Sequence, residues 1–150
     1  MKFTAQKDAT LDDDYVDVKY RELTPTIHQI FQICGDGAPI LLCVKDEEIH
    51  KVDMGDILYI EWVDDKSCIY TKDDIFTIGT SLARLEEILP SQYFFRISRI
   101  VIINIYKIKS LSNGFNFRLI AEMINEEKVM INRHYRNGLM QKVNSLAKEV

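Results

Sequence analysis

The 150 residues suit one domain, or one domain with a short extension, and at 47% apolar and 28% charged they have the balance of a globular chain. The start Met1-Lys2-Phe3-Thr4-Ala5 leads into Asp12-Asp13-Asp14 and not into an apolar segment, and the longest apolar run, residues 100–103 with Ile105 beyond Asn104, is far too short for a bilayer. Neither a signal peptide nor membrane insertion is expected, and the expected location is cytoplasmic. The net charge of −4 hides an asymmetry, because residues 91–150 carry ten basic and four acidic side chains (+6) and residues 1–90 carry nine and nineteen (−10). Such a split fits a polyanion-binding half joined to a non-binding half, and equally a charged surface that only solvates the protein.

Residues 14–20 set Tyr15, Val16, Val18 and Tyr20 among charged residues and predict a strand. Thr24 then caps a predicted helix with Pro25 at its first position, where the missing N–H costs nothing; Ile27, Ile30, Phe31 and Cys34 share one face and Gly35 closes it. Residues 39–44 and 48–52 predict two more strands. Residues 1–52 thus read as a small acidic β-α-β extension, joined without a Pro/Gly/Ser linker to a main domain over 53–150. From Asp56 the chain becomes β-rich, with strands over 57–62 and 68–71 on either side of polar Asp64-Asp65-Lys66-Ser67, and a further strand over 75–78. Ser81 caps a helix whose Leu82, Leu85 and Leu89 share a face and which Pro90 ends. Strands over 107–111 and 115–120 flank Asn113-Gly114, a strong hairpin signal. Asn125-Glu126-Glu127 makes a turn, 128–131 a last strand, and Tyr135, Leu139, Val143 and Leu146 a helical stripe capped by Asn132.

Cys34, Cys43 and Cys68 lack the tight pair spacing of metal sites and His28, His50 and His134 are scattered, so neither metal nor cofactor is expected. No nucleophile, base and orienting group cluster and no glycine-rich phosphate loop occurs, so the chain is not expected to be an enzyme. Tyr59, Trp62, Phe94 and Phe95 lie in apolar strand patterns and read as core, not as a base-stacking platform. Arginine is the informative residue, because its planar fork grips guanine O6 and N7 together, or a phosphate. Arg133 sits where the last strand gives way to a helix, which puts it and Asn132 at an exposed helix N-terminus. Arg99 interrupts the alternation begun by Arg96 and Ser98, predicting a bend ahead of a buried run over 100–103.

Four motifs in order, Gly55-Asp56-Ile57-Leu58-Tyr59-Ile60-Glu61, the helix from Ser81 to Pro90, the basic strand from Phe95 to Asn104, and Ile131-Asn132-Arg133-His134-Tyr135-Arg136, resemble the LytTR family of bacterial DNA-binding domains over residues 53–148. The resemblance implies an α+β, mostly β fold: an elongated antiparallel β domain with short helices, whose loops read double-stranded DNA for transcriptional control. Residue by residue it implies DNA contacts at Lys66 and Ser67, at Ser98 and Arg99, and at Asn132 and Arg133, with Arg136 on a phosphate and Asn104 as a buried structural amide. Ile100 and Asn132 depart from the serines common in the family, and Asp64 and Asp65 put negative charge beside Lys66. About fifty residues precede the domain, too few for a phosphoacceptor receiver. A stand-alone regulator is therefore expected, bound as a homodimer to spaced half-sites in promoter DNA. The alternative is an interaction module whose acidic N-terminal half engages a regulatory protein, such as a membrane protein that holds it from DNA.

Overall fold

The computed structural model describes residues 2, 4–12, 16–21, 26, 30 and 40–147, and the chain divides into two compact units, Met1–Ala38 and Pro39–Val150. In the first unit, Thr10 donates its backbone N–H and hydroxyl to the Asp8 carboxylate at 2.9 and 2.6 Å. No strand forms over residues 16–20, part of the strand expected there. Alternation marks a face, whereas a strand also needs a neighbour's hydrogen-bond ladder, and among the described residues none is supplied. The helix expected over 25–34 lies outside the described residues except for Thr26 and Ile30, both helical.

The second unit is built from hairpins. Strands β1 (Ile40–Lys45) and β2 (Glu48–Asp53) pair across Asp46-Glu47, whose φ values of 52° and 66° are both left-handed. Two such residues give the tight turn whose twist matches that of the strands it joins. β3 (Ile57–Val63) and β4 (Lys66–Thr71) repeat the device across Asp64-Asp65, at φ 49° and 61°. The connection is therefore two residues and not four, and Lys66 and Ser67 belong to β4. After β5 (Ile75–Ile78), Ser81 caps helix α1 (Leu82–Ile88) by accepting the Arg84 N–H at 3.2 Å. Strands β6 (Phe94–Arg96) and β7 (Val101–Asn104) complete an antiparallel seven-stranded sheet in the order β2-β1-β5-β4-β3-β7-β6. β8 (Ile108–Asn113), β9 (Leu119–Met123) and β10 (Lys128–Ile131) form a three-stranded antiparallel sheet, followed by helix α2 (Arg133–Leu146). The mostly β, α+β class expected from the sequence is the one found. The boundary expected at 52/53 falls inside β2, because β1 pairs with β5 and carries the hairpin into the large sheet.

Both faces of the large sheet's centre are covered. On one, Ile60, Ile69 and Ile102 pack with Leu82, Leu85 and Leu89 of the α1 region; on the other, Tyr59, Val101 and Ile103 pack with Leu119, Ala121 and Met123 of the small sheet and Leu139 of α2. Burial on both sides explains why 57–60 and 101–103 read as apolar runs without alternation. Burial pushes the Cys43 thiol up to about 11 and the Tyr59 phenol up to about 12, so both stay neutral at physiological pH. Gly138 lets α2 lie close to the sheet, since a Cβ there would meet the Phe95 ring at 2.9 Å.

Two further expectations need correction. Ile100 is 46% exposed and precedes β7 in a bend, so the buried run begins at Val101. The Asn113-Gly114 pair is not a two-residue turn: Asn113 pairs with Leu119, leaving Gly114 to Arg118 as the connection. Its left-handed residues are Asn116 and Phe117, at φ 58° and 59°, while Gly114 has φ −90°.

Candidate nucleic-acid interface

The site starts from the bend between β6 and β7. Ile97 N–H donates to the Val101 carbonyl at 3.0 Å, and the Ile100 N–H donates to Ser98 Oγ at 3.2 Å, which fixes the bend from within. Arg96 fixes it from below: its Nε donates to the Ser98 carbonyl at 2.9 Å, its Nη2 to the Arg99 carbonyl, and its Nη1 pairs with Glu86 of α1 at 3.1 Å. The bend's own side chain, Arg99, is exposed, and its guanidinium has no hydrogen bond or ion pair among the described residues. A cation held on a braced backbone with its donors unused is prepared to meet an external acceptor.

Two neighbours are fastened to this bend. On one side the Trp62 N–H donates to the Ile100 carbonyl at 2.8 Å, and Val63 pairs with Lys66, so the tip of the β3–β4 hairpin projects from the same end of the sheet. Lys66 is exposed there, two strands away from the bend, or roughly 10 Å by strand spacing. On the other side the Asn132 N–H donates to the Ile97 carbonyl at 2.8 Å, which docks the start of α2 beside the bend. Asn132 caps α2 as the sequence led us to expect, its Oδ1 accepting the His134 N–H at 3.1 Å. Arg133 is the first helical residue, exposed, and likewise without a side-chain partner among the described residues. The free N–H groups of a helix start favour an anion at the same place.

Of the expected contact residues, Ser98, Arg99, Asn132 and Arg133 come together and Lys66 stands at the same end. Ser67 does not belong with them. It is fully buried, and its hydroxyl donates to the Thr80 carbonyl at 2.6 Å, because β4 begins one residue before it and turns its side chain inward. Arg136 lies one turn into α2, but two of its donors are engaged, Nη1 with the Phe117 carbonyl at 2.6 Å and Nη2 with Asn113 Oδ1 at 3.0 Å. This contact reveals what sequence order concealed: the Gly114 to Arg118 connection borders the same groove as Ser98, Asn132 and Arg133, and adds Arg118 to it. Arg118 carried a signal in its charge, but only the pairing of β8 with β9 and the grip of Arg136 bring it near. Asn104 is buried as expected, its amide donating to the Ile57 carbonyl at 2.8 Å and its oxygen accepting the Tyr106 N–H at 3.1 Å.

The model of the LytTr DNA-binding domain matches residues 47–144. The chain belongs to the LytTR family. The sensory transduction protein LytT of Bacillus subtilis is 28% identical to it over 81% of this chain and 50% of its own length. An uncharacterised HTH-type transcriptional regulator of Staphylococcus aureus is 26% identical over 74% of this chain and 76% of its own. The chain spans about half the length of the LytT relatives it matches. Among solved structures, a LytTr DNA-binding domain from Bacillus cereus superposes with a TM-score of 0.67 at 22% identity, covering 71% of this chain and 98% of that one, which shows the fold. The converging arginines thus lie within a LytTR domain, a DNA-binding fold. Among the described residues no helix is long and apolar enough to cross a membrane, and no group of three or more His, Cys, Asp or Glu side chains could hold a metal.

Proposed function

We propose that this protein regulates transcription by binding double-stranded promoter DNA sequence-specifically, without catalysis, through the loops at one end of its large sheet. The observation that carries the reading is the 2.8 Å bond from Asn132 N–H to the Ile97 carbonyl, which holds at one braced surface two arginines, Arg99 and Arg133, that have no side-chain partner among the described residues. Arg133 is assigned to a base edge and Arg99 to a base or the adjoining phosphate. Ser98 and Asn132 orient the approach, and Lys66 contacts backbone at the margin. Two copies on spaced half-sites complete the complex.

The test is affinity for duplexes carrying every single-base change in a site selected from a random library. Arg133→Ala should lower affinity for the preferred site by about 1–3 kcal/mol and relax selectivity at one position, with little effect on unrelated DNA. Lys66→Ala should weaken all sequences alike and reduce the salt slope by roughly one unit. If Arg133→Ala lowers every duplex equally, its role is electrostatic and the base assignment fails.

The first unit is assigned to self-association or to a regulatory protein partner, and not to DNA contact. Residues 1–38 carry four basic and seven acidic side chains, and this excess of carboxylate supports the assignment, since like charge is repelled by phosphate.

A further inference from the structure

The connection between β8 and β9 carries two phenylalanines that folding leaves in water. Phe115 is 89% exposed and Phe117 86%. Single exposed apolar residues are common, but a pair of phenyl rings on one short loop is unfavourable unless something covers them. The loop is also held in a demanding form. Asn116 and Phe117 both adopt left-handed backbone, which a bulky residue such as phenylalanine rarely does. The Gly114 N–H closes the loop on the Arg118 carbonyl at 2.7 Å, and Arg136 grips the Phe117 carbonyl and the Asn113 amide from the helix. The backbone is therefore fixed by contacts inside the domain while the rings remain outside it.

What covers the rings is indicated by what stands next to them. Phe117 borders the groove formed by Ser98, Arg118, Asn132, Arg133 and Arg136, so the apolar surface continues directly into a cationic one. An occupant of both must offer anionic groups with apolar surface between them at close range. Duplex DNA has this composition: deoxyribose and the groove edges of the bases, thymine methyls among them, lie between phosphates. We propose that Phe115 and Phe117 pack against deoxyribose and base surface beside the base pair assigned to Arg133, making this loop an apolar, salt-independent contact of the interface. The proposal rests on the DNA-binding reading and adds an element to it.

The test compares the full chain with its Phe115→Ser/Phe117→Ser double variant on the selected duplex, using hydroxyl-radical footprinting, which reads sugars directly. Because no phosphate contact is lost, affinity should fall roughly tenfold at every salt concentration with the slope unchanged, as removing part of the burial of two rings would produce. Protection should vanish at the few sugars flanking the Arg133 position and persist elsewhere. The melting temperature should be unaffected, since the rings touch little in the free protein. Arg136→Lys, which keeps the charge but loses the two-pronged grip, should give the same parallel loss in weaker form. Unchanged affinity and footprint in the double variant would overturn the proposal, as would intact DNA contacts combined with loss of dimer in sedimentation, which assigns the rings to a second copy of the chain. Failure of the unaltered protein to bind any duplex overturns the functional reading itself, and is seen before any variant is compared.

Discussion

Whether a polar side chain serves the fold or an external partner depends on its unused donors, and at this site the chain contains both kinds side by side. Ser67 and Ser98 look alike in sequence, each a serine next to a cation at the edge of an apolar run. Ser67 Oγ is consumed by the Thr80 carbonyl at 2.6 Å inside the protein, whereas Ser98 supports a bend that faces out. Ser67→Ala should therefore lower stability by about 1–2 kcal/mol, through a carbonyl left without its donor, and leave DNA affinity unchanged. Urea unfolding and duplex titration of the same sample check it; weakened binding at full stability would return Ser67 to the interface. Arg96, the brace under Ser98 and Arg99, was visible in sequence only as one more basic residue, because its carbonyl partners are a matter of backbone geometry.

At the level of elements, the legible features were those with a local cause. Ser81 and Asn132 announce their helices because an N-cap is a side-chain contact two or three residues long. The turn at Asn113-Gly114 misled for the same reason, since the local signal for a two-residue hairpin was overridden by Arg136, 23 residues after Asn113, which holds a longer loop open. Asp64-Asp65 hid its turn, because aspartate tolerates left-handed backbone less readily than the Asn-Gly pair that usually marks it. That turn supplies a prediction. Asp64→Asn/Asp65→Gly should stabilise the hairpin by about 1 kcal/mol, by removing the left-handed cost at the second position. It also deletes two carboxylates beside Lys66, so duplex affinity should rise at low salt and the gain should shrink as salt screens the charge. A stabilised variant with unaltered affinity at every salt concentration would remove the β3–β4 tip from the DNA surface.

For the whole molecule, charge indicated that one half differs from the other, but not where the boundary lies. A charge count has no register, whereas the sheet does: β1 joins β5, so residues 40–53 are structural members of the large sheet. Two truncations separate the units. Removing residues 1–52 takes away Leu41, Cys43 and Val52, all buried against Met54, Ile57 and Leu82. At about 1.5–3 kcal/mol for each large apolar side chain this approaches the entire stability of an ordinary domain. That protein should melt far below the full chain or fail to fold. Removing residues 1–38 spares every strand of the large sheet, so the remainder should fold and keep its affinity for a single half-site. If the first unit joins two copies, affinity for paired half-sites should nevertheless fall by about a hundredfold, the lower end of what linkage adds through effective concentration. Thermal melts establish folding, and titrations of single and paired half-sites with each protein measure the linkage. Paired-site binding that survives the shorter truncation unchanged would show that the first unit takes no part in assembling two copies on DNA.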